Sequence, residues 1–487
     1  MIKEAFAQGV IPYSFAKEKK VLPLRDTEGN LLIAIENPFD IELLNDLYLM
    51  TEEKIKPIQL PSEVIIQAIE EYYGDGSAKT LLSQMNDEEV EGSSDEEYDL
   101  FDQKDDSPVI RSLNAMIIEA VQQGASDMHF EPGEHSLVVR YRIDGVLQKR
   151  HIPSKEYQKQ MITRIKVMAK MDIAQQRLPQ DGRIKLVLSG REIDFRVSTV
   201  PVVHGERVTL RILDKNNVTL GLEDIGMPLD LLAKFRKMIL KSQGIILVTG
   251  PTGSGKTTTL YSALSEICSP EVNVMSIEDP VEYKMENMAQ IGVNPKIHLT
   301  FAKGLRHILR QDPDVIMIGE IRDVETAEIA IQASLTGHLV FSTLHTNSAP
   351  AAVTRLIDMG IEPYLISSSV IGVLAQRLLR TLCLECREKY TPSDEELKDL
   401  EVERALLPEG SLFRPKGCPH CHGSGYLGRR GIYEWMEVDE KVKTQILKSG
   451  DAAGIASVAT YTSLKMRGAH LALQGVTSTA EVLRVTR

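Results

Sequence analysis

The chain has 487 residues, 43% hydrophobic and 26% charged, a composition ordinary for globular protein and a length suggesting about three domains. Of its formal charge of −13, the stretch Asn86 to Asp106 carries −10, eleven acids against Lys104 alone, which leaves −3 for everything else. That balance speaks against a nucleic-acid protein, and no apolar run approaches the roughly 20 residues that cross a bilayer.

Met1 to Gln8 places an acid near the start and no long apolar region after it, so a cytoplasmic protein is expected, with any membrane association indirect. Residues 1–82 read as a small unit. Val21 to Leu24 and Leu31 to Ile35 have strand patterns, and Pro61 to Tyr73 spaces its apolar residues as a helix does. No catalytic constellation falls there, and partner docking is the role expected of it. Residues 83–106 read as an acidic flexible linker, since like charge with little hydrophobicity builds no core; an acidic docking segment is the other reading.

Residues 107–215 read as a mixed α+β domain. A helix is expected from Val109 to Gln123, then strands around Leu137 to Ile143 and Val146 to Gln148 joined by an Asp144-Gly145 hairpin turn. A second helix is expected over Ile162 to Met171, and strands begin at Arg183, Arg191 and Arg207. Residues 216–230 look like a hinge.

A nucleotide domain is expected over 231–376. The apolar run Gly244 to Thr249 leads into Gly250, Pro251, Thr252, Gly253, Ser254, Gly255, Lys256 and Thr257, and then into a helix starting with Thr258. Strand, glycine-rich turn and helix are the context that makes a Walker A match meaningful. Residues Gly250 to Thr258 would bind the nucleotide: backbone N–H groups would cradle ATP phosphates, Lys256 would neutralise the β- and γ-phosphates, and the Thr257 hydroxyl would ligate Mg²⁺. Asp314 to Glu320 reads as a buried strand ending in an acid, and Glu320 is expected to position or activate the attacking water. Gly319 stands where a Walker B motif has Asp, so the Mg²⁺ carboxylate must come from elsewhere. Glu278 and Asp279, ending another strand, are the natural donors, unless they only cap the turn before Pro280. His338 and His345 bracket one further strand and suggest γ-phosphate sensing, with His338 named as the catalytic candidate.

Four of the five cysteines form Cys383-x-x-Cys386 and Cys418-x-x-Cys421, within an insert at 377–430. Two such pairs indicate a closed, structural tetracysteine Zn²⁺ site. Redox pairs are the alternative, against which the cytoplasmic setting and the lack of a thioredoxin-like context argue. His420 and His422 would serve only if a cysteine were not used, and 431–487 reads as a helical end.

The ordered set GPTGSGKTTTLY, SIEDPVE, RQDPDVIMIGEIRD and TGHLVFSTLHTN resembles the Walker A, Asp box, Walker B and His box of the secretion ATPase superfamily, in which glycine at the Walker B aspartate position is usual. ASDMHFEP, RLPQDGRI and DFRVSTVPVVHGERVTLRIL resemble the domain preceding the motor in that superfamily. With the tetracysteine insert, the N-terminal unit and the short length, the chain looks most like the type II secretion family, with pilus-assembly ATPases as the alternative. The resemblance implies an α/β fold: a RecA-like P-loop NTPase motor, a preceding mixed α+β domain, a small N-terminal docking domain and a tetracysteine zinc insert. It implies an ATP hydrolase working as a homohexamer, with ATP between two domains and completed by a neighbour. Arg196 and Arg211 are then the candidates to reach the phosphates, followed by Arg177 and Arg183, and then by Arg306, Arg310, Arg322 and Arg355. Implied partners are the cytoplasmic domain of an inner-membrane platform protein (L-type), met by residues 1–82, and a polytopic platform protein (F-type).

Overall fold

The computed structural model describes residues 107–188, 191–214 and 221–486 continuously. Before them it describes 7, 10–11, 15–16, 19–25, 30–38, 40–51, 55–73 and 98–99. The linker expected at 83–106 lies outside the described residues except for Tyr98–Asp99. Two compact units divide the chain, Met1–Asn217 and Val218–Arg487.

In the first unit, β1 (Leu22–Arg25), β2 (Leu31–Ile35) and β3 (Ile55–Gln59) form a three-stranded sheet in that order. β1 and β2 are antiparallel. β2 and β3 are parallel, so a crossover must join them, and helix α1 (Ile41–Thr51) supplies it. Leu31, Ile33 and Ile35 on β2, Leu47 on α1 and Ile65 and Ile69 on α2 (Ser62–Tyr73) are buried together.

A seven-stranded sheet follows. Its strands are β4 (Tyr98–Asp99), β5 (Ala125–Pro132), β6 (Leu137–Ile143), β7 (Val146–His151), β8 (Gln180–Leu188), β9 (Arg191–Val202) and β10 (Gly205–Asp214), in the order β4-β8-β9-β10-β5-β6-β7. Helix α3 (Pro108–Gln122) packs Leu113, Met116 and Ile117 into the core of this sheet beside Phe130, Tyr141 and Phe195. The hairpin turn sits at Asp144-Gly145, both with positive φ (49° and 79°), which matches the right-handed twist of the strands it joins. Helix α4 (Lys155–Met168) starts well before the expected Ile162. Its opening residues, Lys155 to Gln160, are nearly all polar and carry no apolar periodicity to read.

The second unit is built on β11 (Gly244–Thr249), β12 (Val274–Glu278), β13 (Met288–Gly292), β14 (Val315–Ile318), β15 (Leu339–Leu344), β16 (Val370–Leu382) and β19 (Tyr426–Glu437), in the order β13-β12-β14-β15-β11-β16-β19. The intervening β17 (Glu388–Tyr390) and β18 (Leu412–Arg414) form a separate two-stranded ribbon. All neighbours in the large sheet are parallel except β19, which returns antiparallel to β16 at the edge. β11 is buried on both faces: Ile245 and Leu247 join one core, Ile246 and Val248 the other. A strand covered on both sides reads as an unbroken apolar run, which is why 244–249 shows no alternation. On the second face α5 (Leu229–Ile239) and α6 (Lys256–Ile267) pack Phe235 and Leu260 against it. The borders expected at 376/377 and 430/431 both fall inside strands. β16 and β19 pair from Gly372↔Glu437 to Leu382↔Tyr426, so the ends of the expected insert belong to the motor sheet.

Candidate nucleotide and metal sites

β11 ends at Thr249, and the chain turns through Gly250 to Gly255 into α6. Gly255 is the N-cap in the left-handed region (φ 87°), where a β-branched or bulky residue would be strained. At Gly250 a Cβ would lie 2.5 Å from both the Gln376 carbonyl oxygen and Ser254 Oγ, so only glycine lets the loop lie this close to β16. Pro251, Thr252, Gly253 and Thr257 are exposed, Thr258 is half-buried, and Ser254 and Lys256 are buried. The unpaired amides at the start of α6 give this loop the polarity that receives anions. Lys256 is 9% exposed, and its ammonium donates to the carbonyls of Gly250 (2.9 Å) and Pro251 (3.1 Å). Burial, partly offset by Glu320 and reinforced by Arg377, pulls its pKa down to about 8.

Glu320 follows β14 at the carboxyl edge of the sheet. Its carboxylate meets Arg322 Nη2 at 2.5 Å and His345 Nε2 at 3.4 Å. Burial pushes its pKa up, but Arg322 and His345 outweigh burial and hold it below the usual carboxylate range. His345 is itself held below the usual imidazole range, by burial and by Lys256, against the opposing pull of Glu320.

The two histidines separate at this point. In the parallel sheet Thr249 pairs with Leu344 and Gly244 with Leu339, so His345 flanks the loop end of β11 and His338 the opposite end. Six residues of strand put about 20 Å between those edges. The His338 carbonyl accepts from Gly244 N–H at 3.2 Å, and its Nδ1 lies 2.8 Å from the Ala333 carbonyl. His338, expected to be catalytic, therefore stands at the edge opposite the phosphate loop, and His345 at the same edge as Glu320 and the loop.

Glu278 is also placed differently from expectation. It is 3% exposed and accepts from the Tyr261 hydroxyl, from Ser276 Oγ at 2.6 Å and from Gln290 Nε2 at 3.1 Å. Tyr261 and Gln290 thereby fasten β12 to α6 and β13, with Ser276 donating from β12 itself, which leaves Asp279 as the exposed acid of the pair.

In the first unit, strand register sets Arg183, Arg196 and Arg211 side by side on β8, β9 and β10, and continues to Asp127 on β5. The three arginines line a cavity of about 510 Å³ with Asp181, Ser198 and Thr209. Arg211 Nε reaches Asp127 Oδ1 at 3.0 Å, and Arg142 Nε lies 3.5 Å from Asp127 Oδ2. Like charges on directly facing positions repel, so such a row suits an anionic ligand. Of the other arginines, Arg306 pairs with Glu325 (2.6 Å), Arg310 meets His307 Nδ1 (2.8 Å), and Arg177 is exposed.

The thiols of Cys383, Cys386, Cys418 and Cys421 all lie within 4.8 Å of one another. Cys383–Cys418 and Cys386–Cys421 are 3.8 Å apart and Cys418–Cys421 3.7 Å. An ion bound tetrahedrally at about 2.3 Å to each sulfur sets its sulfurs about 3.8 Å apart, so the four residues fit a metal. Burial raises the Cys421 thiol, but N–H donors from Cys418 (3.2 Å) and Gly425 (3.1 Å) prevail and hold it below the usual thiol range. His420 is exposed, with Nδ1 3.8 Å from Glu385 and apart from the cluster.

Gln376 and Arg377, behind the loop, escaped the reading of the sequence. Their signal was present: two long polar residues interrupt the apolar strand Val370 to Leu382.

A parallel, doubly covered sheet with a glycine-rich phosphate loop at its carboxyl edge and an acid just past the end of the next strand but one defines a P-loop NTPase. The Type II/IV secretion system protein family model matches residues 102–484, and the MshEN domain model matches residues 2–79. Type II secretion system protein E of Dickeya dadantii is 47% identical over 98% of this chain and 97% of its own length. Type II secretion system ATPase E of Vibrio cholerae is 46% identical over 98% and 96%. Among solved structures, the Yersinia pseudotuberculosis ATPase DotB aligns with a TM-score of 0.58 at 20% identity, over 82% of this chain and 97% of that one. The Legionella pneumophila ATPase DotB aligns at 0.54 and 22%, over 76% and 94%. These two likenesses bear on the fold alone. The chain belongs to the type II secretion ATPase E family and is an ATP hydrolase.

Proposed function

We propose that this secretion ATPase hydrolyses ATP in the cytoplasm to drive addition of pilin-like subunits to a pseudopilus, and so protein export across the outer membrane. The observation that carries the reading is the near full-length similarity to type II secretion E proteins in a chain whose phosphate loop, Lys256 and Glu320 share one sheet edge. Lys256 and the amides of 250–257 bind the phosphates, with the Thr257 hydroxyl and Asp279 the groups available to Mg²⁺. Glu320, ionised and oriented by Arg322 and His345, holds the attacking water. Arg196 and Arg211 meet phosphate oxygens in a homohexameric ring, the row on β8–β10 being suited to an anion. Zn²⁺ is the ion expected for four thiolates, and it holds the hairpin end of β16 and β19 closed.

Residues 1–82 dock onto the cytoplasmic domain of an L-type platform protein, and work passes to a polytopic F-type protein. No helix among the described residues is long and apolar enough to cross a membrane, so attachment to the inner membrane runs through these partners. The test replaces Lys256 with Ala in the chromosome and compares extracellular enzyme export with surface pili in the same cultures. Lost export with intact pili is expected. Lost pili with normal export would keep the motor chemistry and assign it to pilus assembly.

A further inference from the structure

β16 runs past the end of β11. Thr249, the last residue of β11, pairs with Ala375, so Gln376 and Arg377 lie alongside the phosphate loop itself. Gln376 is buried, and its Oε1 accepts from Thr259 Oγ1 of α6 at 2.8 Å. A Cβ at Gly255 would meet its Nε2 at 2.8 Å, and one at Gly250 would meet Arg377 Nη1 at 3.2 Å. The loop rests on these two side chains.

Arg377 is 7% exposed. Its guanidinium donates to the Gln376 carbonyl (3.1 Å), the Asn347 carbonyl (3.1 Å) and Asn347 Oδ1 (3.0 Å), and it makes no ion pair among the described residues. Glu434 bears on it only through space, its own oxygens being taken by the amides of Ala349 (2.8 Å) and Leu464 (3.3 Å). The turn Arg377 grips, Leu344 to Asn347, carries His345 and is stitched to β11 from the other side, where Thr346 N–H donates to Thr249 Oγ1 at 2.9 Å. A buried cation without a carboxylate in contact is costly to the fold. Its place against Gly250, with Lys256 as the second cation of the same loop, points to an anionic ligand as the balancing charge.

We propose that Arg377 is a positioning residue of the nucleotide site: a fixed cation behind the phosphate loop that also clasps the turn holding His345. The proposal rests on the reading of 250–257 as an ATP cradle. The charged groups bearing on Lys256 are Glu320, which favours its proton, and Arg377, which disfavours it, with His345 close enough to feel the ammonium. Removing the Arg377 charge therefore lets Lys256 keep its proton to higher pH.

The experiment titrates a fluorescent ATP analogue, with Mg²⁺, into the full chain and its Arg377→Gln and Arg377→Lys variants across pH 6.5–10, and measures turnover alongside. Wild type should bind, and affinity should decline as pH rises through about 8. Arg377→Gln should weaken binding at pH 7 about ten-fold, the scale of losing one charged contribution, and move the alkaline decline upward. Arg377→Lys keeps the charge but not the fork to Asn347, so it should bind within about two-fold of wild type while turnover falls several-fold. An Arg377→Gln variant with unchanged affinity and pH profile would overturn the proposal and leave the ATP reading intact. Absence of binding by wild type would overturn both. If Arg377→Gln does not fold, Arg377→Lys decides, and unchanged turnover there would overturn the proposal.

Discussion

Two buried lysines in this chain solve the same electrostatic problem in opposite ways. Lys166, on α4 of the first unit, is 1% exposed and has a carboxylate, Glu206, at 3.0 and 3.2 Å, plus the Gln175 carbonyl at 2.7 Å. Lys256, in the phosphate loop of the second unit, is nearly as buried but among the described residues holds only the carbonyls of Gly250 and Pro251. A charge meant to stabilise a fold is given its counter-charge within the chain. A charge meant for a ligand is left short of one, and its depressed pKa records the cost.

That contrast is open to attack from both sides. Replacing Lys166 with Met should be the larger effect on stability. It strands the Glu206 carboxylate and should cost about 3–5 kcal/mol, read as a lower midpoint of chemical unfolding. The double replacement Lys166→Met with Glu206→Leu should recover most of that loss, and failure to recover would mean the pair is held for something other than its charge. Lys256→Ala should do the reverse, removing ATP binding while leaving stability unchanged or raised. The depression from 10.5 to about 8 corresponds to about 3 kcal/mol as an upper bound. The sign follows from proton counting. Between pH 8 and 10.5 the unfolded chain holds the Lys256 proton and the folded chain does not, so this residue's contribution to stability rises across that window. In Lys256→Ala that rise should vanish; a variant that instead unfolds more readily would make Lys256 a structural residue like Lys166.

The smallest effect separates the two histidines. His338→Ala should leave turnover within about two-fold, since it sits at the far edge of the sheet. His345→Ala should reduce turnover clearly, because it removes a partner of Glu320 at 3.4 Å. Equal effects of the two would contradict this division.

Much of this was legible in the chain itself. The loop 250–257 with its flanking strand and helix, Glu320 at a strand end, and the paired cysteines are local patterns, and local patterns survive in sequence. What was lost depended on direction and on distant partners. His338 and His345 look equivalent until a parallel sheet assigns one to the ligand edge. Glu278 looks like a metal ligand until Tyr261 and Gln290, from other elements, engage its oxygens. Arg377 lies 121 positions from Lys256 in the numbering and joins the loop only because β16 is hydrogen-bonded beside β11. The start of α4 was missed for a simpler reason, its polar first turn.

Everything proposed for the motor depends on Glu320, held ionised by Arg322 and His345, acting on water at an ATP site built around Lys256. The sharpest check compares the purified full chain with its Glu320→Gln variant for Mg²⁺-dependent ATP hydrolysis and for binding of a fluorescent ATP analogue. Binding should stay within a few-fold of wild type, and turnover should fall by at least about 100-fold. Turnover near the wild-type rate in the variant would remove Glu320 from the chemistry and contradict the mechanism.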